Sequence, residues 1–377
     1  MKKFILPILS ILPIVANFFL PYSREVVLKA QDVSPNIVEK KYVFAHNYLE
    51  SLNHKEKAGQ TMIINISGTT LTEPTKEFLN EIKPGGIILY TTNIQSSQQT
   101  KKLTADLQNW AKDSGLPPLF IAIDEEGGVV ERLSFAPAQY SQPQLGQIDS
   151  EEQTRKTAHE IASTLEDLGI NMNFAPVADI AFSTSSFLAL RAFGNNPDLV
   201  SKHVGWTVDE YNKTNVLTIV KHFPGHGRTS GDSHFITPSI PIDLETWRDA
   251  EEKPFQTAIE NNADGMMTGH TLYPYIDDEI GSKSKFWIDE TLKKELKFEG
   301  LIITDNITML GTGRDVFQSS TTALKAGNHM ILCTSTTGTT EGILESLYTD
   351  IEEEYLNNTV LKILEKKYAT EEHDTIP

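Results

Sequence analysis

The chain has 377 residues, ordinary globular composition and a formal net charge of -18. That acidity argues against nucleic acid as a partner, because phosphate binding needs clustered Lys and Arg. The one cysteine, Cys333, excludes an intrachain disulfide; within the apolar run from Met330 it reads as a small buried hydrophobe.

Lys2 and Lys3 precede the almost wholly apolar run Phe4–Leu20. This is the layout of a secretory signal, with an uncleaved membrane anchor as the alternative, so residues 1–22 are assigned to a signal or anchor. A buried helix is disfavoured by Pro7 and Pro13. The expected location is outside the cytoplasm, secreted or anchored, with membrane contact only through that segment. Residues 23–40 read as a polar linker, 41–370 as a catalytic domain and 371–377 as a tail.

Short apolar runs then recur at Met62–Ile66, Gly86–Tyr90, Leu119–Ile123, Met172–Pro176, Leu217–Val220, Gly265–Thr268, Leu301–Thr304 and Met330–Cys333. They lack polar alternation, as strands buried on both faces of a parallel sheet do. Helical patterns lie at Glu151–Leu168, Asp198–Lys213, Leu244–Asn262, Asp289–Phe298 and Val316–Ala326, with a final helical region from Gly338 to near Lys367. Ser150 and Gln153 form a capping-box start for the first of these. Eight strands, each followed by a helix, predict an α/β fold, a (β/α)8 TIM-like barrel, with a doubly wound sheet as runner-up.

A barrel gathers its chemistry at the C-terminal ends of its strands. Unusual polar residues stand there: Asp124 after the third strand, Lys221 and His222 after the fifth, His270 after the sixth and Asp305 after the seventh. In Lys221–Gly227, Pro224 and Gly225 between His222 and His226 disfavour a zinc-binding helix, and the loop reads either as aiming Lys and His at a ligand or as a structural turn. Asp232, two residues before His234, could fix that histidine's tautomer, although an isolated D-x-H is more often plain surface. Asp305 directly follows a buried strand, where an unpaired charge is costly, so such a residue is usually partnered or functional, and the polar residues at the other strand ends favour function. Arg191 could clamp a hydroxyl or pair with an acid, and Asp179 reads as a structural partner for a nearby base.

These residues carry a resemblance. K-H-F-P-G-H-G at Lys221–Gly227, followed by D-S-H at Asp232–His234, resembles glycoside hydrolase family 3 in its bacterial β-N-acetylglucosaminidase branch. Supporting matches are Asp124–Gly128 with Arg132, Asn173–Asp179, Arg191–Gly194, Thr304–Met309 and Ala323–Gly327, so the likeness runs from about Lys55 to Lys367. The resemblance implies a single barrel domain that removes terminal β-linked N-acetylglucosamine from cell-wall (peptidoglycan) fragments or related glycans, with retention of configuration. It implies Asp305 as nucleophile, His234 oriented by Asp232 as acid/base, and Asp124, Arg132, Arg191, Lys221 and His222 as holders of the sugar; His270, from its place at the end of the sixth strand, is a candidate to line the site. Glu125, Val129 and Arg228 depart from the family's usual Gln, Arg and Asp. The partner is a carbohydrate, and the chemistry calls for no metal or organic cofactor. Phosphate in place of water as acceptor, an inactive sugar-binding protein, and a β-glucosidase of the same family are the alternatives. The D-S-H loop counts against the last of these.

Overall fold

The computed structural model describes residues 35–369. The expected signal or anchor, most of the expected linker and the expected tail lie outside the described residues. A helix at Pro35–Ser51 begins inside the segment read as linker. From Lys41 onward the described residues form one compact unit.

Eight strands build the centre: β1 (Met62–Asn65), β2 (Gly86–Leu89), β3 (Phe120–Ile123), β4 (Met172–Asn173), β5 (Leu217–Phe223), β6 (Gly265–Thr268), β7 (Leu301–Thr304) and β8 (Ile331–Cys333). They lie side by side in the order β7-β6-β5-β4-β3-β2-β1-β8. Every pairing is parallel. A parallel bridge from Ile303 to Met330 joins the two ends. The amide of Thr304 donates to Met330 O at 3.0 Å across the same seam. The result is the (β/α)8 barrel that the strand–helix alternation predicts.

The missing polar alternation has a direct cause. Side chains of a strand point alternately to its two faces. Ile63, Ile88, Phe120, Ala122, Leu217, Ile219, Leu301 and Ile303 fill the barrel interior. Their neighbours Ile64, Ile87, Ile121 and Ile123 pack outward in a second cluster with Leu103, Leu107 and Leu165 of the surrounding helices. Both faces are dry, so both are apolar.

Several elements differ from their expected bounds, among them these three. β4 stops at Asn173, short of the expected Pro176. The expected helix Leu244–Asn262 is two, Leu244–Asp249 and Glu252–Glu260, broken where Glu251 turns inward to Arg228. The helix expected from Asp289 begins at Phe286 instead, where Ser284 accepts the Trp287 amide at 3.0 Å. That places Trp287 in a buried aromatic cluster with Phe223, Trp247 and Tyr273.

Ile63 is fully buried inside the barrel. Ile63→Ala is expected to cost roughly 2–5 kcal/mol, the usual range for truncating a buried aliphatic side chain. Urea unfolding reads this as a lower midpoint with an unchanged slope.

Candidate active site

The strand period of two decides what reaches the mouth. Phe120 and Ala122 point into the barrel, so Asp124 follows on the same face. Leu217 and Ile219 lead likewise to Lys221, and Leu301 and Ile303 to Asp305. Lys221 and His222 belong to β5 itself, which runs to Phe223 rather than ending before them.

Lys221 is buried and is the hub of a charge cluster. Its Nζ lies 2.8 Å from Asp124 Oδ1 and 2.5 Å from Glu126 Oε1. Glu126 also takes a two-pronged hydrogen bond from Arg191, Nε at 2.9 Å and Nη2 at 2.7 Å. Arg132 Nη2 stands 3.6 Å from Asp124 Oδ2, with its guanidinium 5.6 Å from the Tyr90 ring. Burial alone would raise the Glu126 carboxyl, but Lys221 and Arg191 outweigh it and hold the group down at about 2. The cluster thus brings Asp124, Arg132, Arg191 and Lys221 together. It adds Glu126 and Tyr90, which the sequence patterns above do not single out. Counting by twos would find both, Tyr90 from Ile88 and Glu126 from Ala122 through Asp124.

His222 is fixed by Asp179, whose Oδ2 lies 2.7 Å from Nδ1. A carboxylate only accepts, so Nδ1 carries the proton and Nε2 is left to meet a ligand. The same carboxylate accepts the amides of His222 at 3.1 Å and His226 at 2.6 Å. Asp179 is therefore the structural partner expected of it. Glycines permit the tight loop beyond: a Cβ on Gly227 would sit 2.0 Å from Ile180 O. His226 is buried, and neither of its ring nitrogens has a hydrogen-bond partner among the described residues.

Asp305 is partly open at the mouth. Its Oδ1 accepts the Asn306 amide at 2.7 Å. Burial pushes its carboxyl up, yet His222, His270, that amide and Lys221 together hold it below the usual value. His270 is fully buried, with Nε2 3.1 Å from Asn306 O and Nδ1 2.8 Å from Ser282 Oγ. A carbonyl only accepts, so Nε2 bears the proton, and burial keeps the ring below its ordinary pKa. His270 thus braces the residue after Asp305. Other carboxylates around the mouth have cationic or histidine partners or, in Glu125, backbone amides. Among the described residues Asp305 has no ion pair.

Asp232 and His234 stand on the rim, on the loop after β5. Asp232 Oδ1 lies 2.7 Å from His234 Nδ1 and accepts the His234 amide at 2.9 Å. The His234 side chain is 57% exposed. The loop is tied to the segment after Asp305: the Gly311 amide donates to Ser233 O at 2.9 Å, and Thr237 Oγ1 donates to Gly311 O at 2.9 Å. Phe187 packs between the two histidines of this region, 5.4 Å from His226 and 6.4 Å from His234. Arg228 does not serve this rim as a free charge. It is ion-paired to Glu251 and lies 3.8 Å above the Phe182 ring. Val129, the other departure near the mouth, is exposed.

Comparison with known proteins agrees with this architecture. The profile of the Glycosyl hydrolase family 3 N terminal domain matches residues 54–365. A protein named Beta-hexosaminidase from Idiomarina loihiensis is 34% identical over 72% of this chain and 82% of its own length. Its namesake from Nitrosospira multiformis is 33% identical over 77% and 84%. Among solved structures, a glycoside hydrolase family 3 beta-N-acetylglucosaminidase from Paenibacillus sp. str. FPU-7 superposes with a TM-score of 0.82 at 31% identity. That match covers 85% of this chain but 63% of the Paenibacillus chain, so this chain spans less than two thirds of it.

Glu125 yields a test of pH behaviour. It is buried beneath the Asp124–Arg132 loop and accepts the amides of Arg132 at 2.7 Å and Leu133 at 3.3 Å. Burial raises its carboxyl to about 7 despite those amides. A raised folded-state pKa means stability that is present below the unfolded value and lost as pH climbs through about 7. Glu125→Gln should remove that decline. Urea unfolding between pH 4.5 and 8 should show a flatter profile for the variant than for the wild type.

Proposed function

The chain belongs to glycosyl hydrolase family 3, and we propose that it is a retaining β-N-acetylhexosaminidase with Asp305 as nucleophile and His234 as acid/base. The observation that carries the reading is the isolation of Asp305. Asp124 and Glu126 are neutralised by Lys221, Arg132 and Arg191. Asp305 is held ionised by its surroundings and has no ion pair of its own. An ionised, uncommitted carboxylate at the mouth is what nucleophilic attack on a sugar requires.

The reaction has two steps. Asp305 attacks the anomeric carbon as the glycosidic bond breaks, and His234 Nε2 gives its proton to the departing oxygen. Asp232 holds Nδ1–H throughout and so keeps Nε2 aimed at the substrate. Neutral His234 then takes a proton from water, the water oxygen attacks the anomeric carbon, and Asp305 is released. Asp124, Arg132, Arg191, Lys221 and His222 hold the N-acetylglucosamine unit, the first through its hydroxyls. We assign cell-wall fragments or related N-acetyl glycans as substrates, on the family resemblance. Phosphate as acceptor has less support, because Lys221 and Arg228 are both compensated by carboxylates. The basic and apolar start of the chain supports a location outside the cytoplasm. An intact Met1 on native protein recovered from the cytoplasm would argue against it.

His234→Ala is expected to slow cleavage by roughly 10²–10⁴, the usual worth of acid/base catalysis. The loss should shrink for substrates whose leaving groups are acidic, such as nitrophenyl N-acetylglucosaminides, since these need less protonation. Asp232→Asn should act in the same direction, less strongly. Equal losses for good and poor leaving groups would assign His234 a structural role instead.

A further inference from the structure

The surroundings of His234 are unusual for an exposed loop. Phe235 is 71% exposed, Ile236 55% and Leu310 59%. Isolated apolar side chains at a surface need no explanation, but a contiguous patch does. The loop that carries Phe235 and Ile236 and the segment that carries Leu310 are held side by side through their backbones. The Phe235 ring lies 6.4 Å from the His234 ring. Gly311, next to Leu310, packs so tightly on this loop that a Cβ there would sit 2.7 Å from Ser233 O and 2.9 Å from Ile236 O. Phe187 faces His234 from the loop after β4.

With His234 as the acid/base, the role on which this patch's meaning rests, the chemistry says what the patch would meet. The atom that receives the proton is the oxygen linking the N-acetylglucosamine unit to its leaving group. The leaving group therefore extends outward from His234, over the residues beside it on the rim. Arg191 is bound to Glu126 and Arg228 to Glu251, so neither of these two supplies the rim with free positive charge. A pyranose ring presents C–H groups on its faces and hydroxyls around its edge. Its face suits an exposed aromatic ring, while its edge stays in water.

We propose that Phe235, Ile236 and Leu310 form a leaving-group subsite that takes the apolar face of a second sugar ring, with Phe235 as the platform. Such a subsite selects the leaving group by contact area and leaves recognition of the terminal N-acetylglucosamine to the buried cluster around Lys221.

The test compares two uncharged substrates that both need His234: N,N′-diacetylchitobiose, whose leaving group is a sugar ring, and methyl β-N-acetylglucosaminide, whose leaving group is too small to reach the patch. Intrinsic reactivity cancels when each variant is compared with wild type on the same substrate. Phe235→Ala should lower the ratio of chitobiose to methyl glycoside kcat/KM roughly tenfold, the size expected for losing burial of one aromatic face. Leu310→Ala should lower it in the same direction by less. A ratio that stays constant in both variants, with wild type cleaving both substrates, overturns the subsite and leaves the hydrolase reading standing. Equal slowing of both substrates by Phe235→Ala also overturns it, because that outcome marks a disturbed His234. A wild-type protein that cleaves neither substrate defeats the hydrolase reading, and the subsite with it.

Discussion

The structure depends on how a buried ammonium, that of Lys221, is compensated. Taking a charge out of water costs several kcal/mol unless partners replace the lost hydration. Lys221 meets that demand with two carboxylates, Asp124 just after β3 and Glu126 two residues further on. Glu126 in turn draws in Arg191 from the loop after β4, and Asp124 draws in Arg132. One cation on β5 therefore fixes the loops after β3 and β4 as well. A pocket of this kind is rigid because moving any member would strand a charge.

The same compensation sorts the carboxylates by role. Those near the cations are committed to ion pairs, and in the proposed reaction they would accept the hydroxyls of a sugar. Asp179 is committed differently, to the ring of His222 and to two amides of the loop that carries it. Asp305 is held below the usual carboxylate value by His222, His270, the Asn306 amide and Lys221 without a direct ion pair. It can remain ionised and still have a free oxygen for chemistry. The Asp232–His234 pair sits apart from this dense network, on an exposed loop pinned through Gly311. A proton carrier has to approach the leaving group and then an incoming water, which an exposed position allows.

Much of this is legible in the sequence. The eight apolar runs locate all eight strands, because a strand buried on both faces has a continuous apolar signature. The polar residues at their ends locate the mouth, and the K-H-F-P-G-H-G and D-S-H segments locate His222, His226 and the Asp232–His234 pair. Other features are set by distant contacts. Glu126 looks like any acid in the run Asp124-Glu125-Glu126, and its importance comes from Lys221 and Arg191, far away in sequence. The break at Ala250 depends on Arg228 reaching Glu251 across 23 residues. The helix Ser97–Asp113 is not among those read from the sequence, although its buried Leu103, Leu107 and Trp110 stand at helical spacing. Arg228 looks like a charge available to the rim as long as its partner is unknown.

The central claim is that Asp305, alone among the carboxylates of the mouth, is free to bond to the sugar. The most direct measurement uses a slow fluorinated N-acetylglucosaminyl fluoride to accumulate the glycosyl-enzyme, followed by proteolysis and mass spectrometry. The account predicts one added sugar, on the peptide that contains Asp305, and none when Asp305 is replaced by Ala. A sugar bound to Asp124, Glu125 or Glu126 would contradict it.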